Sequence, residues 1–505
     1  MSVCAIVQGE HHRGVFSLAK YDQLVEQIRN QIQNEIWGVG DKLPSLRKQT
    51  EISGMSLMTV LHAYQVLESQ GWIVSHARSG YFVAPKIQYS SPKSSDVTVQ
   101  TTEAIDINDF IFDVLQASRT PHIVEFGSVY PDPKLYPRHQ VNKSLMTAAR
   151  TMPTSSALDN LPPGNKELRQ LIAKRYAAQG ISVNPEEIVI TAGALEALNL
   201  SLQAVTQAGD WVVVESPTFY GALQSLQRLN LRALSVRTHP RDGIDLDSLE
   251  KALQSHPVKA CWLMTNHQNP LGCTLPNEKK KRLIELLAEY NVYLIEDDVY
   301  SELYYGGKKP LPAKAFDQQG MTMHCSSFSK TLVAGFRIGW VAAGKMTLPI
   351  QKLQLMSTLS ASAPIQLALA KYLSTRNYEN HLRQLRRKLE QRKFATWQML
   401  RAHFPSHVSV NYSEGGYFLW VELPEHLDAT ELYQRALKEN ISIAPGKMFS
   451  VSKQFNHCFR LNSSFECSGS EERAIKRLAE LIQNMLDEQG ELQRSIVPNN
   501  IDSDL

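Results

Sequence analysis

Between Lys20 and Ile36, apolar residues recur every four positions at Leu24, Ile28 and Ile32, with Val25 and Ile36 beside them. That step predicts one inward face of an amphipathic helix, and Gly38 and Gly40 predict its end. Leu43-Pro44-Ser45-Leu46-Arg47 then opens a second short helix. Pro44 lies near its start, where a missing N–H costs little, and Gly54 stops it. Ser56 is placed to cap a third helix with Val60, Tyr64 and Leu67 facing inward, closed by Gly71. Trp72-Ile73-Val74-Ser75 and Tyr81-Phe82-Val83 read as short strands around the tight turn Ala77-Arg78-Ser79-Gly80. Three helices and a hairpin over residues 14–84 make a winged helix-turn-helix pattern.

Residues 85–104 change character, being polar, serine-rich and poor in branched aliphatics, and read as a linker. Fully extended, such a segment reaches roughly 65 Å. From residue 105 strands and helices alternate. Glu187–Thr191 precedes a helix starting near Ala194, and Trp211–Glu215 a loop and the helix after Tyr220; Ala260–Met264 and Val292–Glu296 are near-continuous apolar runs, suited to strands buried on both faces of a mainly parallel sheet. Helices are expected at Glu278–Tyr290 and Gln366–Leu400. Gly416–Val421 and Cys458–Leu461 read as strands of a smaller lobe within 375–488. The body, 105–488, is therefore an α/β unit, followed by a polar tail at 489–505.

Composition narrows the picture only slightly. With 505 residues, 43% hydrophobic and 20% charged, the chain is ordinary globular protein with room for two or three domains. A net charge of +3 supplies no global field for nucleic acid, so any DNA contact must be local. The six cysteines (Cys4, Cys261, Cys273, Cys325, Cys458 and Cys467) form no CxxC pair and read as reduced thiols. No metal site is expected. Met1 to Glu10 lacks a basic region before its short apolar stretch, and no apolar run approaches the ~20 residues that span a bilayer. The expectation is a cytoplasmic protein.

The chemistry centres on Cys325-Ser326-Ser327-Phe328-Ser329-Lys330, with Arg337 seven residues on. A lysine behind two serines and ahead of an arginine is what a pyridoxal phosphate site needs: the amine forms a Schiff base, and hydroxyls and guanidinium hold the phosphate. Thr191-Ala192-Gly193-Ala194, Asn269-Pro270-Leu271-Gly272 and Asp297-Asp298-Val299-Tyr300 all follow predicted strands, where parallel sheets place ligands. In this order the residues resemble the aspartate aminotransferase fold, fold type I of the pyridoxal phosphate enzymes. The resemblance implies that Lys330 bonds the cofactor, Asp297 pairs with its ring nitrogen, and Asn269 and Tyr300 bond its phenolic oxygen. It also implies that Ser327, Ser329, Arg337 and the backbone N–H groups of Ala194 and Leu195 bind phosphate. Phe219, or its neighbour Tyr220, would stack on the ring, and Arg460 would grip a substrate carboxylate. Two departures stand out. Ala194-Leu195 replaces the hydrogen-bonding side chains of many relatives, and Asp159-Asn160 stands near where many carry a tyrosine.

Residues 20–84 resemble the GntR winged helix, and the whole chain resembles the MocR group of bacterial regulators. The resemblance implies contact with double-stranded operator DNA by Ser45, Arg47, Ser56, Met58 and Thr59, with Arg78 and Ser79 at the wing tip. Here too there is a departure: no Lys or Arg lies between Lys48 and Arg78, and Leu57 stands where relatives often have arginine. The expected function is a homodimeric transcriptional regulator sensing an amino acid or amine through its cofactor. The alternative is a working aminotransferase with an appended head.

Overall fold

The computed structural model describes residues 20–496 apart from 35, 39, 70–71, 77–79, 84–99, 103–107, 118, 307 and 376. Gly71, the wing-tip residues Arg78 and Ser79, and most of the expected linker lie outside the described residues. The chain divides between Ser90 and Ser91 into two units.

In the first unit, helices Lys20–Gln33, Leu46–Ser53 and Leu57–Ser69 precede the antiparallel strands Ile73–His76 and Gly80–Val83. Leu24, Ile28, Ile32, Val60, Tyr64 and Leu67 are buried together, as their spacing predicts. The Tyr64 hydroxyl, carried into this core, donates to the Pro44 carbonyl at 2.9 Å. Ile36 departs from expectation. The first helix stops at Gln33, so Ile36 falls off the four-residue step and is 65% exposed.

The second unit is built on a nine-stranded sheet. Arg232–His239, Trp211–Ser216, Val258–Leu263, Tyr293–Asp297 and Thr322–Ser327 run parallel in that spatial order. Gly339–Ala342 is antiparallel to Thr322–Ser327 and to Ile188–Thr191. Strands Ile188–Thr191 and Thr322–Ser327 are buried throughout, because helices cover them. One core cluster packs helices Leu246–Ser255 and Asn277–Glu289 against this sheet through Leu249, Leu253, Leu283 and Leu287.

The smaller lobe holds a four-stranded antiparallel sheet of Ser409–Asn411, Phe418–Glu422, Cys458–Asn462 and Ala444–Pro445. It also takes in Val124–Glu125, which pairs with Ile441–Ser442, so a segment far outside 375–488 belongs to it. Three further boundaries differ from the sequence reading. Gln100–Thr102, inside the expected linker, forms an edge strand on Arg232–His239. The last helix, Ser470–Ile496, continues into the expected tail. The single helix expected at Gln366–Leu400 is two, Ala363–Leu373 and Asn377–His403. Ser374 Oγ and Thr375 Oγ1 donate to the carbonyls of Lys371 and Tyr372, and Thr375 Oγ1 accepts from Asn377 N–H. Such side chains compete with the helical ladder and break it.

Gly339 marks the tightest backbone crossing beneath the site. A Cβ there would lie 2.5 Å from Ala194 N and 2.8 Å from the Ser326 carbonyl oxygen, both backbone atoms. Gly339→Ala is therefore expected to destabilise the body by about 1–3 kcal/mol or more. A urea unfolding midpoint equal to that of the parent would refute this.

Candidate cofactor site and DNA-reading surface

The carboxyl ends of the parallel strands bring the predicted residues together. Asp297 ends its strand, Ser327 ends the neighbouring one, and helix Ala194–Val205 starts beyond Thr191. Lys330 is 8% exposed, and its Nζ donates to the Val129 carbonyl at 2.8 Å. The rings of Tyr130 and Tyr300 lie 4.4 and 5.6 Å from the same nitrogen. Burial, reinforced by the positive charge of Arg460, lowers the Lys330 amine to about 7 against the opposing pull of Asp297. Burial, reinforced by Asp298, raises Asp297 to about 7. A substantial fraction of the amine is thus unprotonated at neutral pH, the form a nucleophile requires.

Arg460 is 1% exposed, and its guanidinium donates to Asn269 Oδ1 and to the Gly127 carbonyl, each at 2.8 Å. It lies 4.1 Å from the Phe418 ring centroid. Tyr300 is buried, and its hydroxyl shares a hydrogen bond with that of Tyr417. Phe219 is half-buried at the entry to helix Tyr220–Arg228, with its ring 4.7 Å from that of buried Tyr220. Ser327 and Ser329 are buried, and Ser329 N–H donates to Ser327 Oγ at 3.4 Å. Arg337 is exposed and left-handed, with φ 50°. Its Nη2 lies 2.6 Å from where a Gly193 Cβ would sit, so the missing side chain lets the guanidinium reach the start of helix Ala194–Val205. No side chain caps that helix at Gly193, while Leu195 points its side chain outward, 44% exposed. The Asp159-Asn160 pair closes the short helix Ser156–Asp159, where Asn160 Nδ2 donates to the Ser156 carbonyl at 2.5 Å.

Among the described residues four buried polar atoms here lack a protein partner: the acceptor Asp297 Oδ1, the donors Asn269 Nδ2 and Arg460 Nε, and the hydroxyl of Ser329. Buried polar groups are nearly always satisfied. A carboxylate, an amide N–H and a hydroxyl left open beside a buried lysine suit a ring nitrogen, a phenolic oxygen and a phosphate. The residues present fit pyridoxal phosphate.

Several contributing groups had no signature in the sequence. Val129 contributes only a carbonyl. It also accepts from the Tyr417 hydroxyl at 2.9 Å, and Asn462 Nδ2 ties the same segment by donating to the Ser128 and Tyr130 carbonyls. Behind Asp297 runs a buried chain with one consistent direction. Trp340 Nε1–H donates to Tyr176, whose hydroxyl donates to His324 Nδ1, and His324 Nε2–H donates to Asp298 at 2.9 Å. Burial favours protonation of Asp298, but the His324 hydrogen bond overrides it and holds the carboxyl low. Asp298 also accepts from Asn266 Nδ2 at 3.1 Å. Of the twin carboxylates, Asp298 is fully engaged and Asp297 keeps an open oxygen.

In the head, Ser45 Oγ accepts from Lys48 N–H and caps the second helix. Ser56 Oγ accepts from Thr59 N–H at 3.2 Å and lies 2.8 Å from Thr59 Oγ1. Arg47, Ser56 and Met58 are exposed, Met58 at 71%. No helix among the described residues is long and apolar enough to cross a membrane.

Comparison with known proteins agrees with both halves. Residues 20–83 match the gntR family of bacterial regulatory proteins, and residues 135–481 match aminotransferase class I and II. An uncharacterized HTH-type transcriptional regulator of Escherichia coli, YdcR, is 60% identical over 93% of this chain and all of its own length. Among solved structures, Pyrococcus horikoshii kynurenine aminotransferase, in complex with PMP, is similar at TM-score 0.69 and 29% identity, over 76% of this chain and 96% of its own. LysN, the α-aminoadipate aminotransferase of Thermus thermophilus, complexed with N-(5'-phosphopyridoxyl)-L-leucine, is similar at 0.68 and 27%, over 75% and 95%. A GntR head on a class I and II aminotransferase body, matched across both parts by an HTH-type regulator over 93% of the chain, places this chain in the MocR-type branch of the GntR family of bacterial regulators.

Proposed function

We propose that the chain is a cytoplasmic, homodimeric transcriptional regulator that binds operator DNA with its head and pyridoxal phosphate with its body. In this reading an amino acid or amine is sensed at Lys330. The observation that supports it most is the trio of open buried atoms on Asp297, Asn269 and Ser329 beside the Lys330 amine, which burial lowers to about 7. Bound pyridoxal phosphate supplies an aldehyde for amines and a ring that accepts electron density. Lys330 presents the nitrogen that anchors it, and Asp297 accepts from the ring N–H. Asn269 and Tyr300 orient the ring, which Phe219 or Tyr220 covers. Ser327, Ser329, Arg337 and the N–H groups of Ala194 and Leu195 hold the phosphate. Arg460 stands ready for the ligand's carboxylate. An amino compound alters DNA binding only by its differential affinity for two arrangements of the dimer.

The test is DNA binding by the full-length protein with pyridoxal phosphate over a salt series, with and without a panel of amino acids and amines. Saturable, sequence-selective binding changed by one amino compound is expected. Weak, non-selective, salt-sensitive binding across the panel would overturn the reading.

The second reading, an aminotransferase, draws on the same lysine. A nitrogen held near 7 can take and return a proton at neutral pH. Continuous formation of a 2-oxo acid from an amino donor would establish it.

The depressed Lys330 value also sets a pH dependence. Only the unprotonated amine attacks an aldehyde. Cofactor uptake by the apoprotein is expected to rise with pH through about 7 and then level, instead of rising towards 10.5 as for an ordinary lysine. Stopped-flow absorbance from pH 6 to 10 checks this.

A further inference from the structure

The third helix of the head, Leu57–Ser69, carries no lysine or arginine at all. Its inward positions, Val60, Ala63, Tyr64 and Leu67, are fully buried, so the core is complete without Leu57 and Met58. Leu57 and Met58 are left outside, 48% and 71% exposed, with Ile52 of the preceding helix at 58%. Three large apolar side chains open to water within seven residues are unusual for a folded surface and mark a contact site. The polar groups between them are already occupied with one another. Ser56 Oγ accepts from Thr59 N–H and lies 2.8 Å from the Thr59 hydroxyl.

The charges around this turn give little support to purely electrostatic binding. Lys48 pairs with Glu51 at 3.0 Å, and Arg29 pairs with Glu26 at 2.5 Å. Arg47 remains exposed one helix earlier. Such a cation can meet a phosphate or a guanine, but it lies outside the third helix. In the major groove the one apolar feature of a base edge is the thymine C5-methyl group. The side chains that the first turn of the third helix offers are apolar and match it.

We propose that the head reads thymine methyl groups through Leu57 and Met58, so that its half-site carries T·A pairs under the start of the third helix. This deepens the DNA-binding function proposed above and rests on it. Each methyl group buried by these side chains contributes roughly 0.8 kcal/mol, about fourfold in affinity.

The test uses the full-length protein with pyridoxal phosphate. Duplexes of random sequence are selected for binding, and the enriched site is then remade with deoxyuridine replacing each thymidine in turn. Uracil keeps every hydrogen-bonding group and loses only the methyl. About fourfold weaker binding is expected at one or two positions of each half-site, and none at the others. Leu57→Ala and Met58→Ala, both at exposed helical positions, are expected to bind thymine and uracil forms equally well. Equal binding of both forms by the parent would overturn the inference while leaving DNA binding intact, as would an unchanged preference in both variants. Failure to enrich any sequence would remove the DNA-binding function itself, and the inference with it. Light scattering on the same variants covers the rival occupant. A change in oligomeric mass without a change in thymine preference would make the patch a self-association surface and overturn the proposal.

Discussion

Lys330→Ala protein is expected to purify without the visible absorbance of bound pyridoxal phosphate, to fold, to bind DNA, and to lose every response of that binding to amino compounds. The nitrogen is the only amine among the predicted cofactor residues, and burial lowers it to about 7, so that its nucleophilic form is well populated near neutral pH. Its removal costs little elsewhere. The Nζ makes one direct hydrogen bond, to the Val129 carbonyl, and that carbonyl keeps the Tyr417 hydroxyl. The loss is about 1 kcal/mol, well within the reserve of a folded body. Function and folding are therefore separable at this position. The readout is a DNA titration with and without the amino compound that acts on the parent. A variant that kept the parent's ligand response would eliminate sensing through Lys330.

The twin carboxylates are expected to divide in the opposite sense. Asp298→Ala leaves His324 Nε2–H without its acceptor inside a closed interior, and one N–H of Asn266 Nδ2 likewise, its other bond to the Leu311 carbonyl remaining. Each orphaned donor costs about 1–3 kcal/mol. The unfolding midpoint should fall sharply, and the solubility of the body with it. Asp297→Ala removes a carboxyl that burial holds near 7 and whose Oδ1 has no protein partner. It should leave the midpoint close to that of the parent and weaken cofactor retention. Denaturant melts and absorbance of the two variants side by side decide the matter. Equal loss of stability in both would mean that the carboxylates act as one structural unit.

Much of this was legible from the sequence because periodicity and strand ends are local. The four-residue step placed Leu24, Ile28 and Ile32 in the head core, and the apolar runs placed Trp211–Ser216, Val258–Leu263 and Tyr293–Asp297 to within a few residues, while Arg232–His239 and Thr322–Ser327 went unread. The order Asn269, Asp297, Lys330, Arg337 carried the site because each follows a strand whose carboxyl end faces one edge. Other groups could not be read this way. Val129 acts through its carbonyl, which every residue possesses. Tyr176, His324 and Trp340 meet across 148 and 164 positions, by a packing no spacing encodes. The break between Leu373 and Asn377 came from Ser374 and Thr375 turning back on the helix carbonyls, a weak local preference inside a strongly periodic run. Gln100–Thr102 escaped notice because an edge strand needs only backbone groups to pair.

The Val129 carbonyl has a consequence for how the body registers its own chemistry. It sits on a backbone segment stitched to the smaller lobe by Arg460, Asn462 and Tyr417, and it accepts one hydrogen bond from that lobe and one from Lys330. Whatever claims the lysine nitrogen withdraws one of those two donors. The segment then answers to the lobe alone, so occupancy of a single nitrogen becomes a change in which half of the body owns a stretch of backbone.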